Sequence, residues 1–287
     1  MIHNVTWPDG AKCAVSLSFD FDSETNWISR DPENLKRPGT LSYGTYGAKV
    51  GVPRILELLK DEGLPATFFV PGWVAENRTQ RVEMILEHGH EIAHHGYLHK
   101  WPDPDKPDEV LEELDRGLEA LKKTVGVRPV GYRSPAGETT MDQLRLLTDR
   151  GFLYDSSLLD DIVPYQHVLE DGRPGPVELP WHWSTDDAPY LFFTISVPRP
   201  MATNEHILSI WKEEFREIRR WGAYLDLVMH PQGIGRPSRI ALLREFIAFM
   251  REFDGVWFAT CEQVAQAYLD QREGEAEPEA INPFIKV

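Results

Sequence analysis

Histidine is concentrated in one short stretch: five of the ten fall between His88 and His99. Within Gly89-His90-Glu91-Ile92-Ala93-His94-His95-Gly96-Tyr97-Leu98-His99, His95 and His99 stand four apart. A strand over 91–94 that runs into a helical turn puts both imidazoles on one face. Two imidazoles on one face can hold a divalent metal. His88 and His90 read as surface histidines of a turn. Asp20 and Asp22 stand two apart, so in an extended segment both carboxylates point to one side. One can bind a cation while the other takes a proton. Asp22 with His95 and His99 makes an Asp-His-His set. Three protein ligands and an open fourth position is the catalytic rather than the structural pattern of zinc sites.

Positioning such residues takes a sizeable core. The chain has 287 residues, 41% hydrophobic and 26% charged, which suits one large α/β domain. The net charge of -16 and the lack of a Lys/Arg run exclude a nucleic-acid footprint and favour a neutral substrate. Cys13 and Cys261 do not make a disulfide framework. The N-terminus has no basic segment followed by a long apolar one, and no stretch reaches membrane-spanning length. The expected setting is therefore a soluble, cytoplasmic protein with no membrane partner.

Strand and helix alternate along the chain. Strands are expected at 15–19, 66–70, 90–94, 129–133, 152–154, 177–183, 190–196, 225–229 and 256–259. Helices are expected at 53–59, 78–87, 108–125, 141–150, 205–220, 238–253 and 262–269, with Ser238 as an N-cap. A polar loop is expected over 25–46. No linker splits the chain, which gives one catalytic domain over 1–270 and an acidic tail over 271–287. The alternation argues for a parallel sheet, open or closed into a barrel. Asp20/Asp22, His95/His99, Arg133, Asp155 and His230 all fall where strands run out, the edge at which parallel α/β folds carry chemistry.

In order along the chain stand Asp20-Phe21-Asp22, Gly89-His90-Glu91-Ile92 with His95 and His99, Arg133-Ser134-Pro135-Ala136-Gly137, and Val228-Met229-His230-Pro231. This ordered set resembles the polysaccharide deacetylase (NodB-homology) family over about residues 14 to 265. The resemblance implies a distorted (β/α) barrel with fewer than eight strands. It implies a metal-dependent hydrolase of non-peptide C–N amide bonds, with zinc the first choice of metal. By position, Asp20 then looks like the general base and His230 like the general acid. Asp22, His95 and His99 look like the metal ligands. Arg133 looks like the group that orients the base, with Pro135 in the same motif. Asp155 is aligned as the group that orients His230.

The sequence departs from the family pattern where Phe21 separates the two aspartates and where His94 precedes the metal-type histidines. These departures resemble a branch that includes peptidoglycan-deacetylase-like proteins, cyclic imide hydrolases and a metal-independent allantoinase. An N-acetyl sugar or other glycan therefore competes as substrate with a cyclic imide or ureide. A barrel that only binds is a third reading, which the presence of Asp20 and His230 opposes. Trp181, His182, Trp183 and Asp186-Asp187 either wall a substrate pocket or belong to the core. The apolar end of the tail, Asn282-Pro283-Phe284-Ile285-Lys286-Val287, leads us to expect a homo-oligomer in which the tail or the 25–46 loop packs on a neighbour.

Overall fold

A computed structural model describes residues 5–193, 198 and 200–272. Among the described residues nine strands form one sheet: β1 (Cys13–Asp20), β2 (Thr67–Val70), β3 (Glu91–His94), β4 (Gly131–Tyr132), β5 (Tyr154–Asp155), β6 (Tyr165–Val168), β7 (Pro174–Glu178), β8 (Tyr224–Met229) and β9 (Val256–Phe258). The order is β6-β7-β5-β4-β3-β2-β1-β8, and β9 pairs with β1. From β7 to β8 that path holds seven strands, all parallel, and β6 joins it antiparallel. The seven strands curl into an incomplete barrel. Beyond β8 the next pairing is a single bridge between Asp186 and Val228.

β1 is buried along its whole length, and its side chains alternate between two environments. Val15, Leu17 and Phe19 face the helical layer, where they join Phe68, Ile92, Leu225 and Leu227 in the larger core. Ser16 and Ser18 face inward, where Ser18 Oγ donates to Asp226 of β8 at 2.6 Å. The period of two in a strand thus carries Asp20 to the inner face. The outer layer follows from helical periodicity. Trp211 and Phe215 of the helix Asn204–Trp221 meet Phe246 of the helix Pro237–Met250, and all three side chains are buried. Truncating one such aromatic would cost about 3–5 kcal/mol.

Four expectations need correction. The 25–46 segment is not a loop: it contains the helices Thr25–Ile28 and Pro38–Tyr46 and a 3-10 turn at Pro32–Lys36. The stretch from Tyr190 is not a strand where it is described, because Ala188–Leu191 is a short helix; residues 194–197 lie outside the described residues. The strand expected over 177–183 ends at Glu178, and Trp183 begins a 3-10 turn. Ser238 is not an N-cap, since the helix opens at Pro237 with Arg236 before it. β6 and the short helix Gly72–Asn77 lie outside the elements expected from the sequence. The 273–287 part of the tail lies outside the described residues. Among the described residues no helix is long and apolar enough to cross a membrane.

Candidate active site

Asp20 ends β1, and Asp22 lies two residues beyond it on the same side. Ser23 then turns the chain in a left-handed conformation, φ 52°. Asp22 is fully buried. Its Oδ2 accepts from Asn26 Nδ2 at 3.1 Å and Gln232 Nε2 at 3.4 Å. Its Oδ1 is buried without a hydrogen-bond partner. Burial pushes the Asp22 carboxyl upward, but His99, His95 and His230 outweigh it and hold the group below its usual range.

The parity of β3 separates His94 from His95. His94 turns outward, donates from Nε2 to Leu114 O at 3.0 Å and accepts the Gly96 N–H on Nδ1 at 3.0 Å. Burial pushes this ring down to about 3, so it stays neutral and acts as a turn cap. His95 turns inward. Its Nδ1 faces Arg133 O at 2.7 Å, and a carbonyl can only accept, so Nδ1 carries the proton. That leaves a lone pair on Nε2, which is buried, unpartnered and 3.5 Å from Asp22 Oδ1.

No helical turn brings His99 beside His95. The chain reverses through Gly96 at φ 73° and His99 itself at φ 62°. A non-glycine residue held there costs about 1–3 kcal/mol, which marks the position as constrained. The ring centroids of His95 and His99 lie 5.0 Å apart, and His99 Nε2 is 3.5 Å from Asp22 Oδ1. Burial pushes His99 down to about 4 against the pull of Asp22, so its lone pair is available. The donor atoms of Asp22, His95 and His99 all lie within 4.8 Å of one another. Orphaned acceptors on both Asp22 and His95, facing one point, fit a cation.

Arg133 follows β4 and is buried on the inner face. Every guanidinium N–H is used. Nη1 donates to Asp20 Oδ1 at 2.8 Å and Ser18 Oγ at 3.0 Å. Nη2 donates to Ser156 Oγ and Asp226 Oδ2, and Nε to Ser156 O. The guanidinium also lies over the Phe69 ring at 4.0 Å. Burial works against the cation, but Asp20 and Asp226 outweigh it and hold the charge firmly. Asp20 Oδ2 is left free, 3.8 Å from His95 Nε2.

His230 follows β8. Its Nδ1 is 2.7 Å from Asp187 Oδ1, its backbone N–H donates to Asp187 Oδ2 at 3.2 Å, and Asp186 lies 3.8 Å away. Nε2 points at the site, 3.9 Å from Asp22 Oδ2. Burial opposes the imidazolium, but Asp186, Asp187 and Asp22 outweigh it and raise His230 well above its ordinary range.

Asp20, Asp22, His95, His99, Arg133 and His230 therefore come together. Pro135 is buried in the turn after Arg133. Asp155 does not join them and does not reach His230. It hydrogen-bonds Ser157 Oγ and groups with His167 and Glu178, while Asp187 takes the place beside His230. Asp187 stands among the residues expected to wall a pocket or belong to the core, and Asp226 and Gln232 join the site without having been expected there. An acid inside the apolar run Leu225-Asp226-Leu227 was a usable signal; nothing local pointed to Gln232. Trp181 is buried, whereas Trp183 is 39% exposed and meets it edge-on at 4.7 Å. His90 is not a surface residue; it is buried against Phe68.

The polysaccharide deacetylase family profile matches residues 41–154, which include His95, His99 and Arg133 but not Asp20, Asp22 or His230. A Mycobacterium smegmatis structure assigned to the polysaccharide deacetylases shares 40% identity, with 95% of this chain and 96% of that one covered and a TM-score of 0.90. A peptidoglycan deacetylase from Helicobacter pylori is 28% identical over 282 residues, 89% of this chain and 96% of the relative. The structure of the PuuE allantoinase is 25% identical, with 99% and 96% covered and a TM-score of 0.79. Deacetylases of the family use a divalent metal, which agrees with the donor set of Asp22, His95 and His99. The chain belongs to the polysaccharide deacetylase family and is a hydrolase of non-peptide C–N amide bonds.

Proposed function

We propose that this chain removes the acetyl group from an N-acetylated amino sugar, with Asp22, His95 and His99 holding a zinc ion. The observation that carries the reading is the placing of three free donor atoms between a carboxylate fixed by Arg133 and an imidazole fixed by Asp187. When bound there, a divalent ion lowers the pKa of water to about 7 and polarises a carbonyl. Asp20 Oδ2, the oxygen Arg133 does not hold, takes the water proton as the new C–O bond forms. His230 Nε2 gives its proton to the nitrogen as the C–N bond breaks, releasing acetate and an amine. Asp187 accepts the Nδ1–H of the His230 imidazolium and so keeps the Nε2–H turned toward the site. The exposed ring of Trp183 supplies substrate-facing surface, while buried Pro135 shapes the turn that carries Arg133.

A cyclic imide or ureide is the second reading, because the same steps open a ring amide. Its support is burial: Asp20, His99 and His230 are at most 8% exposed, which suits a small flat molecule better than a long glycan. The similarity to PuuE allantoinase points the same way. The test is one screen on zinc-loaded protein. Acetate release from N-acetylglucosamine and its oligomers supports the deacetylase. Ring opening of hydantoin-type substrates without acetate release supports the second reading. Turnover of neither class rejects both.

We further propose a homo-oligomer in the cytoplasm. Exposed Trp101, Trp221 and Met201 support assembly, and two buried free thiols, Cys13 and Cys261, suit a reducing compartment. Light scattering giving a monomer mass, or fractionation outside the cytoplasm, would reject these readings.

A further inference from the structure

A second group of ligand-type side chains lies at the outer edge of the sheet. Asp155 of β5, His167 of β6 and Glu178 of β7 are all buried, and their donor atoms lie within 4.8 Å of one another. Each group has part of its capacity spoken for. Glu178 Oε1 accepts the backbone N–H groups of Ser157 and Leu158, both at 2.8 Å. Asp155 Oδ1 accepts from Ser157 Oγ at 2.6 Å. His167 Nε2 stands 2.8 Å from Glu178 Oε2. Asp155 Oδ2 is buried and has no partner.

Burial opposes a charge on His167, but Glu178 and Asp155 outweigh it and raise the ring, so without an ion its imidazolium balances one of the two buried carboxylates and the other still needs a cation or a proton. Burial and the charge of Glu178 push the Asp155 carboxyl up to about 8, so a proton is the first candidate. It does not resolve the orphan. A proton on Oδ2 would be a buried donor with no acceptor, and a proton on Oδ1 leaves Oδ2 a buried acceptor with no donor; each costs about 1–3 kcal/mol. A divalent ion among the three groups uses Asp155 Oδ2, Glu178 Oε2 and a neutral His167 Nε2. Its two charges cancel the two carboxylates. One carboxylate, one imidazole and a second carboxylate are an ordinary donor set for zinc-type ions.

We propose that Asp155, His167 and Glu178 form a second binding site for a zinc-type divalent ion, separate from the Asp22 site and independent of its assignment. The ion joins β5, β6 and β7, including the antiparallel edge strand that, among the described residues, no strand covers on its far side. β7 leads directly into the segment carrying Trp181, Asp186 and Asp187. On the other side, Ser157 Oγ links Asp155 to the backbone N–H of Ser134, next to Arg133. The site therefore braces two loops of the active site without touching the reacting atoms.

The test is zinc content of the full chain after equilibration with zinc and gel filtration. The Asp22→Ala/His99→Ala chain lacks two groups of the first site and should still hold about one zinc. Adding His167→Gln should remove that zinc, and Asp155→Asn, which keeps the size of the side chain, should do the same. Cobalt in place of zinc should give visible absorption in the first chain and none after His167→Gln. If Asp22→Ala/His99→Ala loses its native circular dichroism, His167→Gln alone answers, by lowering the zinc of the otherwise unaltered chain by about one. A native-like Asp22→Ala/His99→Ala chain with no zinc, or zinc that persists after His167→Gln, overturns the proposal. Should the Asp22 site itself take no ion, the parent chain holds its zinc only here. His167→Gln then removes it all, so failure of one site is distinguishable from failure of the other.

Discussion

Asp187 Oδ1 lies 2.7 Å from His230 Nδ1, while Oδ2 of the same carboxylate accepts the His230 backbone N–H. One side chain thus fixes both the ring and the backbone of the group proposed to protonate the leaving nitrogen. Asp187→Asn offers an acceptor or a donor to that ring but no charge. We expect kcat to fall roughly 10²–10⁴-fold, the usual worth of a placed proton donor, with metal content unchanged. Loss of metal in step with rate would place Asp187 in a different role.

Arg133 is the fixed cation between Asp20 and Asp226, with both contacts buried. Removing one partner of such a group leaves uncompensated buried charge. Arg133→Met should therefore lower stability by about 3–5 kcal/mol in denaturant titration. Combining it with Asp226→Asn should recover part of the loss, because one stranded carboxylate is gone. Equal stability of the parent and Arg133→Met would contradict the ion-pair account.

Asn26 and Gln232 hold the oxygen of Asp22 that faces away from the proposed metal. Asn26→Ala should weaken zinc binding by about 10–100-fold in a competition titration with a chelator. The effect should appear in the dissociation constant before any loss of activity at saturating zinc.

His90 carries no charge partner, and both ring nitrogens are buried without hydrogen bonds. Burial, with a smaller contribution from His88, pushes it down to about 4 from 6.5. The unfolded chain therefore binds a proton that the folded chain refuses between those values. Stability from this residue is present above pH 6.5 and is lost as pH falls toward 4, on the order of 1–3 kcal/mol in total. His90→Phe should flatten that part of the pH–stability curve. An unchanged slope would show that other groups set it.

The parts of the site legible in the sequence were those governed by short-range geometry. Asp20 and Asp22 share a side because a strand repeats every two residues, and β1 continues that parity into the site. The pairing of His95 with His99 was legible from spacing, but the cause was not. A left-handed turn at Gly96 and His99 brings them together, and the types between them do not announce it. Asp155 ends a strand as the inner-face residues do, but the register sets it level with Tyr132 and the outward-turned His94, and β4, β3, β2 and β1 stand between β5 and β8. Asp187 reaches His230 through the single Asp186–Val228 bridge, a contact across more than forty residues that no local pattern encodes. The helices within 25–46 span four to nine residues, too short to show a helical period.

In the proposed mechanism Asp20 moves a proton while Asp22, His95 and His99 hold the metal, although the two aspartates sit side by side. Asp20→Asn separates the roles most directly. Zinc per chain and turnover are measured on the same preparation, with the best substrate from the screen. Zinc should remain at the parent level, and kcat should fall roughly 10²–10⁴-fold. Near-parental turnover with metal bound would remove Asp20 as the base and leave His230 to carry both proton transfers.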